Sequence, residues 1–254
     1  MLQQTQAERV VAPYEAFLSR FPTPAACAGV AAAEVVRMWS GLGYNRRALN
    51  LHRTATAMVA EHDGAVPSDE KALRALPGVG RYTARAVLSF GFGVDVAAVD
   101  TNGVRVLSRC VRGAPLGVGE AETLGDMLVP PGLSWEFNQT MFDLGATVCT
   151  GRSPGCAHCP LREQCEWARA GLPAPDPWRA SPSVRSQSAF AGSDRQGRGR
   201  LVHALRNAAV RADQVPAACG WPDDPARSER IAAALVAEGF ARWSSGSPPV
   251  LRLR

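Results

Sequence analysis

Lysine is almost missing from this chain: Lys71 is the only one among 28 basic side chains. Covalent catalysis through a lysine Schiff base therefore has one side-chain candidate, and arginine must supply any phosphate contacts. Long apolar runs are missing too. No stretch approaches the roughly 20 residues that span a bilayer, and no basic start with an apolar middle marks a secretory signal. An intracellular protein that does not enter a membrane is expected. Alternating strand patterns do not occur before residue 180, so the main body is expected to be all-α. Nor do the seven cysteines make a tidy disulfide set. Cys27, Cys110 and Cys219 stand alone and read as small buried apolar residues. The other four crowd together, which in a reducing compartment points to metal.

What is present is an ordinary globular composition. Apolar residues make up 46% and charged residues 20% of 254, with a net charge of +5, which excludes disordered and fibrous classes. Val10, Val11, Tyr14, Phe17 and Leu18 are spaced as a helix over residues 6–20, stopped at Phe21-Pro22. A second helix is expected over 31–40, with Val35, Met38 and Trp39 inward, ending at Gly41-Leu42-Gly43, and a third over 46–62. Ser68 reads as the N-cap of a short helix that reaches Leu76-Pro77-Gly78-Val79-Gly80, and another helix starts near Arg81. Asp100 to Cys110 reads as helical, and Phe137, Met141, Leu144 and Val148 form the stripe of the next helix. Residues 1–148 are thus read as a helical core, 149–168 as a cysteine loop and 169–190 as a linker. Residues 191–254 are read as a small C-terminal α/β module. Helices near 198–207 and 225–238 and a strand at Val250–Leu253 suggest a winged-helix-like arrangement there.

Two features carry chemistry. In Leu76-Pro77-Gly78-Val79-Gly80, two glycines flank one apolar residue between helices. Such a turn tolerates positive φ and lets backbone N–H groups approach an anion at the start of the next helix. A phosphodiester held without reading sequence is the natural ligand. Twenty residues past Gly80, Asp100 stands at a helix start after the apolar run Val96–Val99; by itself it could be only an N-cap. The second feature is Cys149, Cys156, Cys159 and Cys165, spaced C-x6-C-x2-C-x5-C. Four thiolates this close repel unless a cation joins them. Spacing alone leaves zinc and an iron–sulfur cluster both open.

The run LPGVGRYTARAVLSFGFGVDVAAVDTN resembles the helix-hairpin-helix DNA glycosylases, and FNQTMFDLGATVC with the cysteines behind it looks like the 4Fe–4S loop of their endonuclease III and adenine-glycosylase branch. The resemblance implies that Gly78, Val79 and Gly80 grip the DNA backbone. It implies that Asp100 stabilises positive charge developing on the sugar as an N-glycosidic bond breaks, with the target base flipped into a pocket. It gives the four cysteines a 4Fe–4S cluster that shapes a DNA-contacting loop, to which Arg152 and Arg162 could add charge. The bifunctional branch carries a lysine directly after the hairpin arginine. Tyr82 stands here instead, so a monofunctional hydrolase is expected.

MLQQTQ at residues 1–6 and GLGY at 41–44 resemble the MutY-type adenine DNA glycosylases. In that likeness Gln4, Thr5, Leu42 and Tyr44 surround the base opposite the target, Tyr44 as an aromatic wedge, and Gln3 and Gly43 beside them are expected to bind DNA. Tyr82 and Asn102 support Asp100, and Gln139 lies near the flipped adenine. The implied activity is base-excision repair of adenine mispaired with 8-oxoguanine or guanine. The implied setting is a monomer on mispaired double-stranded DNA, at the nucleoid in the bacterial cytoplasm. Two other readings stay open: an endonuclease III-like glycosylase for oxidised pyrimidines, and a mismatch-binding iron–sulfur protein without turnover.

The sequence also departs from that pattern. The family's general acid is a glutamate two residues before the methionine of MLQQTQ, and this sequence starts at that methionine. An upstream start supplying the glutamate is the leading expectation; as written, the chain lacks the acid that protonates adenine. Gly103 follows Asn102 where a β-branched residue is usual, softening the helix behind Asp100. The C-terminal region shows no sign of the Nudix-like domain that reads 8-oxoguanine in many members. It carries GSDRQGRGR at 192–200 instead, read as a phosphate contact or a flexible basic linker.

Overall fold

A computed structural model describes residues 1–3, 5–181 and 189–254. The chain begins with α1 (Val11–Arg20), α2 (Pro24–Ala28), α3 (Ala32–Met38) and α4 (Arg46–Glu61). It continues with α5 (Glu70–Ala75), α6 (Arg81–Phe92), α7 (Thr101–Val106), α8 (Val118–Leu128), α9 (Ser134–Asp143) and α10 (Glu166–Arg169). Wider π-helical turns extend α7 through Leu107–Arg112 and α9 through Leu144–Val148. The last part holds α11 (Asp194–Asn207), β1 (Val210–Arg211), α12 (Val215–Cys219), α13 (Pro225–Ala237), β2 (Ala241–Trp243) and β3 (Val250–Leu253). The strands form one antiparallel sheet in the order β1-β3-β2. Among the described residues no helix is long and apolar enough to cross a membrane.

The chain divides into two compact units. One contains residues 1–67, 76–78 and 188–254, the other residues 68–75 and 79–187. In the first, Phe17, Phe21, Val35, Trp39 and Leu49 share one buried cluster with Leu201, Leu205, Leu235 and Leu251. The N-terminal helices and the C-terminal segment therefore make one core. Burying each such leucine or phenylalanine contributes about 1.5–3 kcal/mol. The backbone joins them too: Ala33 donates its N–H to the Arg254 carbonyl at 2.7 Å. The second unit has its own cluster, including Val99, Val104, Leu107, Leu116 and Trp178.

Several local expectations are corrected. Helix α1 buries Phe17 and leaves Val11, Tyr14 and Leu18 exposed. The cap of α5 is Asp69, whose carboxylate accepts the Ala72 N–H at 2.8 Å, and not Ser68. The Gly-Arg run 194–200 is helical rather than a flexible linker. At Gly197 the Trp221 ring lies where a side chain would stand, with an added Cβ only 2.2 Å from it. Cys27 and Cys219 are buried as expected, whereas Cys110 is half-buried and faces the four clustered cysteines.

Candidate active site and cysteine cavity

Asp100 ends an extended segment, Val96–Val99, whose backbone groups have no sheet to pair with. Buried side chains satisfy them instead. Asn138, 1% exposed, accepts the Ala98 N–H at 2.7 Å and donates to the Val96 carbonyl at 2.8 Å and Ser89 Oγ at 2.9 Å. Asp126 accepts the Ala97 N–H at 2.8 Å, and Arg85 donates through Nε to the Ala97 carbonyl at 2.8 Å. Arg85 is itself paired with Glu70 and Asp126. The segment is thus clamped from α6, α8 and α9 at once, with Glu70 of α5 holding Arg85. Spacing and resemblance point to none of Asn138, Asp126 or Arg85. The FNQ run at 137–139 is the one available signal, and the family likeness there falls on Gln139.

At its end Asp100 caps α7, accepting the Gly103 N–H at 2.7 Å. Its carboxyl is half-buried, and burial pushes its pKa above the usual aspartate value despite the N–H groups of Gly103 and Asn102. Tyr82, in the first turn of α6, lies close enough that burial and then the Asp100 charge raise its phenol pKa. Its ring meets Phe142 at 6.2 Å between centroids. The side chain of Asn102 is engaged by Arg105: its Oδ1 accepts from Arg105 Nη2 at 2.7 Å. Arg105 also donates to the Gly145 carbonyl at 2.7 Å and the Cys149 carbonyl at 2.6 Å. One guanidinium so ties the residue two places after Asp100 to the first clustered cysteine. Gly145 lets the helices close here, since a Cβ would lie 2.6 Å from Asn102 Cβ. Gln139 is half-buried and donates to Asp143 at 3.2 Å.

Cys149, Cys156, Cys159 and Cys165 line one cavity with Arg109, Cys110, Leu144, Val148 and Trp167. Among the described residues no three His, Cys, Asp or Glu groups are gathered to hold a single ion. Arg109, 1% exposed, donates to Cys149 Sγ at 3.4 Å and the Thr150 carbonyl at 2.8 Å. Its Nε and Nη2 meet Asp176, at 2.9 and 2.5 Å. Arg162 donates to the Cys156 carbonyl at 3.0 Å. Burial, and then the neighbouring cysteines, push the Cys110 and Cys156 thiols upward. Just after the cavity, Trp178 is buried and Ser181 donates to the Leu116 carbonyl at 2.6 Å.

In the other unit, Thr5, Leu42, Gly43 and Tyr44 come together, and Gln3 joins them through its backbone. Gln4 lies outside the described residues. Arg47 is the hub, donating to the carbonyls of Met1 (2.7 Å), Gln3 and Leu42 (2.9 Å) and to Thr5 Oγ1 (2.8 Å). Leu42 is buried, while Tyr44 is 51% exposed with a left-handed φ of 44°. An exposed aromatic held in a conformation unfavourable for its type is a strained feature typical of functional loops. At the hairpin, Gly78 has φ +79°, and a Cβ there would strike the Asn50 side chain at 2.5 Å. Thr54 Oγ1 donates to the Pro77 carbonyl at 2.7 Å, which fixes the turn on α4. Gly80 is exposed, with open space at its Cβ position.

An acid at a capped helix start, a glycine hairpin and a ring of four cysteines on a helical scaffold define a class of base-excision repair proteins. Residues 1–121 match the family model described as HhH-GPD superfamily base excision DNA repair protein. The adenine DNA glycosylase of Mycolicibacterium smegmatis is 40% identical over 248 residues, covering 96% of this chain and 82% of that protein. Among solved structures, a thermostable thymine-DNA glycosylase aligns with a TM-score of 0.63 and 31% identity over 66% of this chain and 80% of that one. A trapped endonuclease III–DNA covalent intermediate aligns at 0.59 and 28%, over 67% and 81%. The chain belongs to the HhH-GPD superfamily, within its adenine DNA glycosylase family.

Proposed function

We propose that this chain is a monomeric DNA glycosylase that hydrolyses the N-glycosidic bond of adenine mispaired with 8-oxoguanine or guanine. The observation that carries this reading is Asp100: a half-buried carboxylate with a raised pKa, at the end of a segment clamped by several side chains and flanked by Tyr82. As the bond from adenine to the sugar breaks, its electron pair leaves with the base and positive charge develops on the sugar ring. Asp100, ionised, stabilises that charge from a site of low dielectric. Water then adds to the sugar carbon and gives up a proton. Tyr82 screens one side of Asp100, and Asn102 holds its helix in register through Arg105. The leaving base needs a proton, which the family resemblance assigns to a glutamate upstream of Met1.

Gly78, Val79 and Gly80 offer backbone N–H groups to a phosphodiester. Gln3, Gln4, Thr5, Leu42, Gly43 and Tyr44 face the base opposite the target, and Gln139 lines the adenine pocket. Cys149, Cys156, Cys159 and Cys165 line one shared cavity, and the family resemblance fits them to a 4Fe–4S cluster rather than to zinc. The bound cluster would neutralise four thiolates and hold residues 149–165 in one shape. Chromosomal DNA in the bacterial cytoplasm is the proposed setting. An endonuclease III-like lyase is disfavoured because Tyr82 occupies the lysine position.

The test compares this chain with a version extended upstream through the expected glutamate, on a duplex carrying one A:8-oxoguanine pair. Adenine release by the extended form, with no borohydride-trapped adduct, is the expected result. Mispair binding with no release by either form would point to a binding protein and defeat the proposal.

A further inference from the structure

The C-terminal segment has a surface that base excision by Asp100 does not use. Its elements run helix, strand, helix, helix, strand, strand from α11 to β3, with β3 central in the sheet. That is the order of a winged helix-turn-helix, with α13 in the position of the recognition helix and the β2–β3 hairpin as the wing. Within this hairpin Arg242 and Arg252 are directly opposed partners. Both are exposed, while Ala241, Leu251 and Leu253 are buried.

Like charges directly opposite on a sheet destabilise it. Elsewhere in the segment Arg198, Arg211 and Arg227 each meet a carboxylate. No carboxylate pairs with Arg242 or Arg252 among the described residues, and residues 239–254 include Arg242, Arg252 and Arg254 but no acid. The wing tip exposes Ser245, Gly246 and Ser247, small groups whose hydroxyls can donate to phosphate. The exposed positions of α13 are mostly alanine, at Ala226, Ala233, Ala234 and Ala237, with Glu229 and Arg230 the charged side chains among them. The hairpin surface, basic and free of acids, is therefore suited to a polyanion.

Resting on the reading that the chain acts on duplex DNA, we propose that Arg242 and Arg252 form a phosphate clamp that holds the duplex backbone independently of sequence or damage. The test uses the full chain and an Arg242→Gln/Arg252→Gln variant on a short matched duplex containing no mispair. Binding is measured across a salt series, and thermal unfolding is followed in parallel.

The slope of log affinity against log salt should become shallower by about 2, near 0.9 for each phosphate no longer neutralised by an arginine. The same weakening should appear on a duplex with an A:G mispair. The unfolding midpoint should hold or rise, because a repulsive pair is removed. An unchanged slope, a weakening confined to the mispaired duplex or a clearly lower midpoint would each overturn the clamp. So would a variant that keeps duplex binding but no longer binds an acidic peptide held by the parent. Because the matched probe carries no target, this measurement and base release can each fail without the other.

Discussion

The Arg47 guanidinium lies 5.6 Å from the centroid of the Tyr44 ring while donating to the Leu42 carbonyl at 2.9 Å. The same side chain stacks on Trp39 at 5.3 Å. A strained, exposed aromatic is thereby fastened to the buried part of its unit through one residue. Replacing Arg47 with alanine removes a charged donor from several carbonyls at once, each such bond contributing about 1.5–3 kcal/mol. Unfolding should become easier by about 2–3 kcal/mol, and preference for mispaired over matched duplex should fall about tenfold. Lysine, which lacks the planar fork, should restore only part. A variant within about 0.5 kcal/mol of the parent, with its preference intact, would remove Arg47 from this role.

Asp100→Asn keeps an oxygen that can cap α7 but loses the charge. Base release by the extended form should drop below detection while mispair binding is retained; near-normal release would refute the assignment. The pH dependence follows from the direction of the shift. The folded protein binds the Asp100 proton more tightly than the unfolded chain does. Stability from this group therefore falls as pH rises from the ordinary aspartate range through the raised folded value, and the deficit persists above it. Unfolding curves near neutrality should show Asp100→Asn as stable as the parent or more so, with the difference vanishing in strong acid. The acid limb of base release should also lie above the ordinary aspartate range.

The two hairpin glycines should behave differently. Gly78→Ala places a methyl into Asn50 in a left-handed conformation, which costs about 1–3 kcal/mol. Gly80→Ala meets open space at φ −86° and should leave the melting curve within about 0.5 kcal/mol of the parent. If the backbone at Gly80 approaches phosphate closely, the alanine there should still weaken duplex binding. Unchanged binding by Gly80→Ala would rule out a close approach.

Five cysteines border the cavity, and only four match the cluster spacing. Cys156→Ala should lower the bound iron and sulfide and destabilise the loop, whereas Cys110→Ala should keep both at parental levels. Metal and acid-labile sulfide analysis of the purified chains decides this. Loss of iron from Cys110→Ala, or zinc in place of iron in the parent, would revise the ligand set.

Periodicity made the longer helices legible. Helices α4, α6 and α13 and the later part of α11 were legible in the sequence, as was Asp100 from its place at a helix start, whereas the glycines of the first turns of α11 hid its beginning. Helix α8 escaped because the side of it that packs uses Ala121, Glu122 and Gly125, which form no apolar stripe. Gly125 is needed there, since a Cβ would lie 2.7 Å from Ala97 Cβ. Strands β1 and β2 span only two and three residues, too few for an alternating pattern to show. Helix α2 had a readable signal in Thr23-Pro24, an N-cap followed by proline in the first turn, with Thr23 Oγ1 accepting the Ala26 N–H at 3.1 Å.

Residue order by itself settled the chemistry on offer: an acid at a helix start, a glycine hairpin, four spaced thiols and no lysine beside the hairpin arginine. Each of these is local, written within a few neighbouring positions, so no packing is needed to see it. Tertiary structure alone decided what holds those groups. Asn138 and Asp126 reach back to the strand-like segment before Asp100, Arg47 gathers the first residues onto the Tyr44 loop, and the C-terminal segment shares a core with the N-terminal helices. Such contacts join residues tens to hundreds of positions apart, and their partners follow from shape and burial, which linear spacing does not encode.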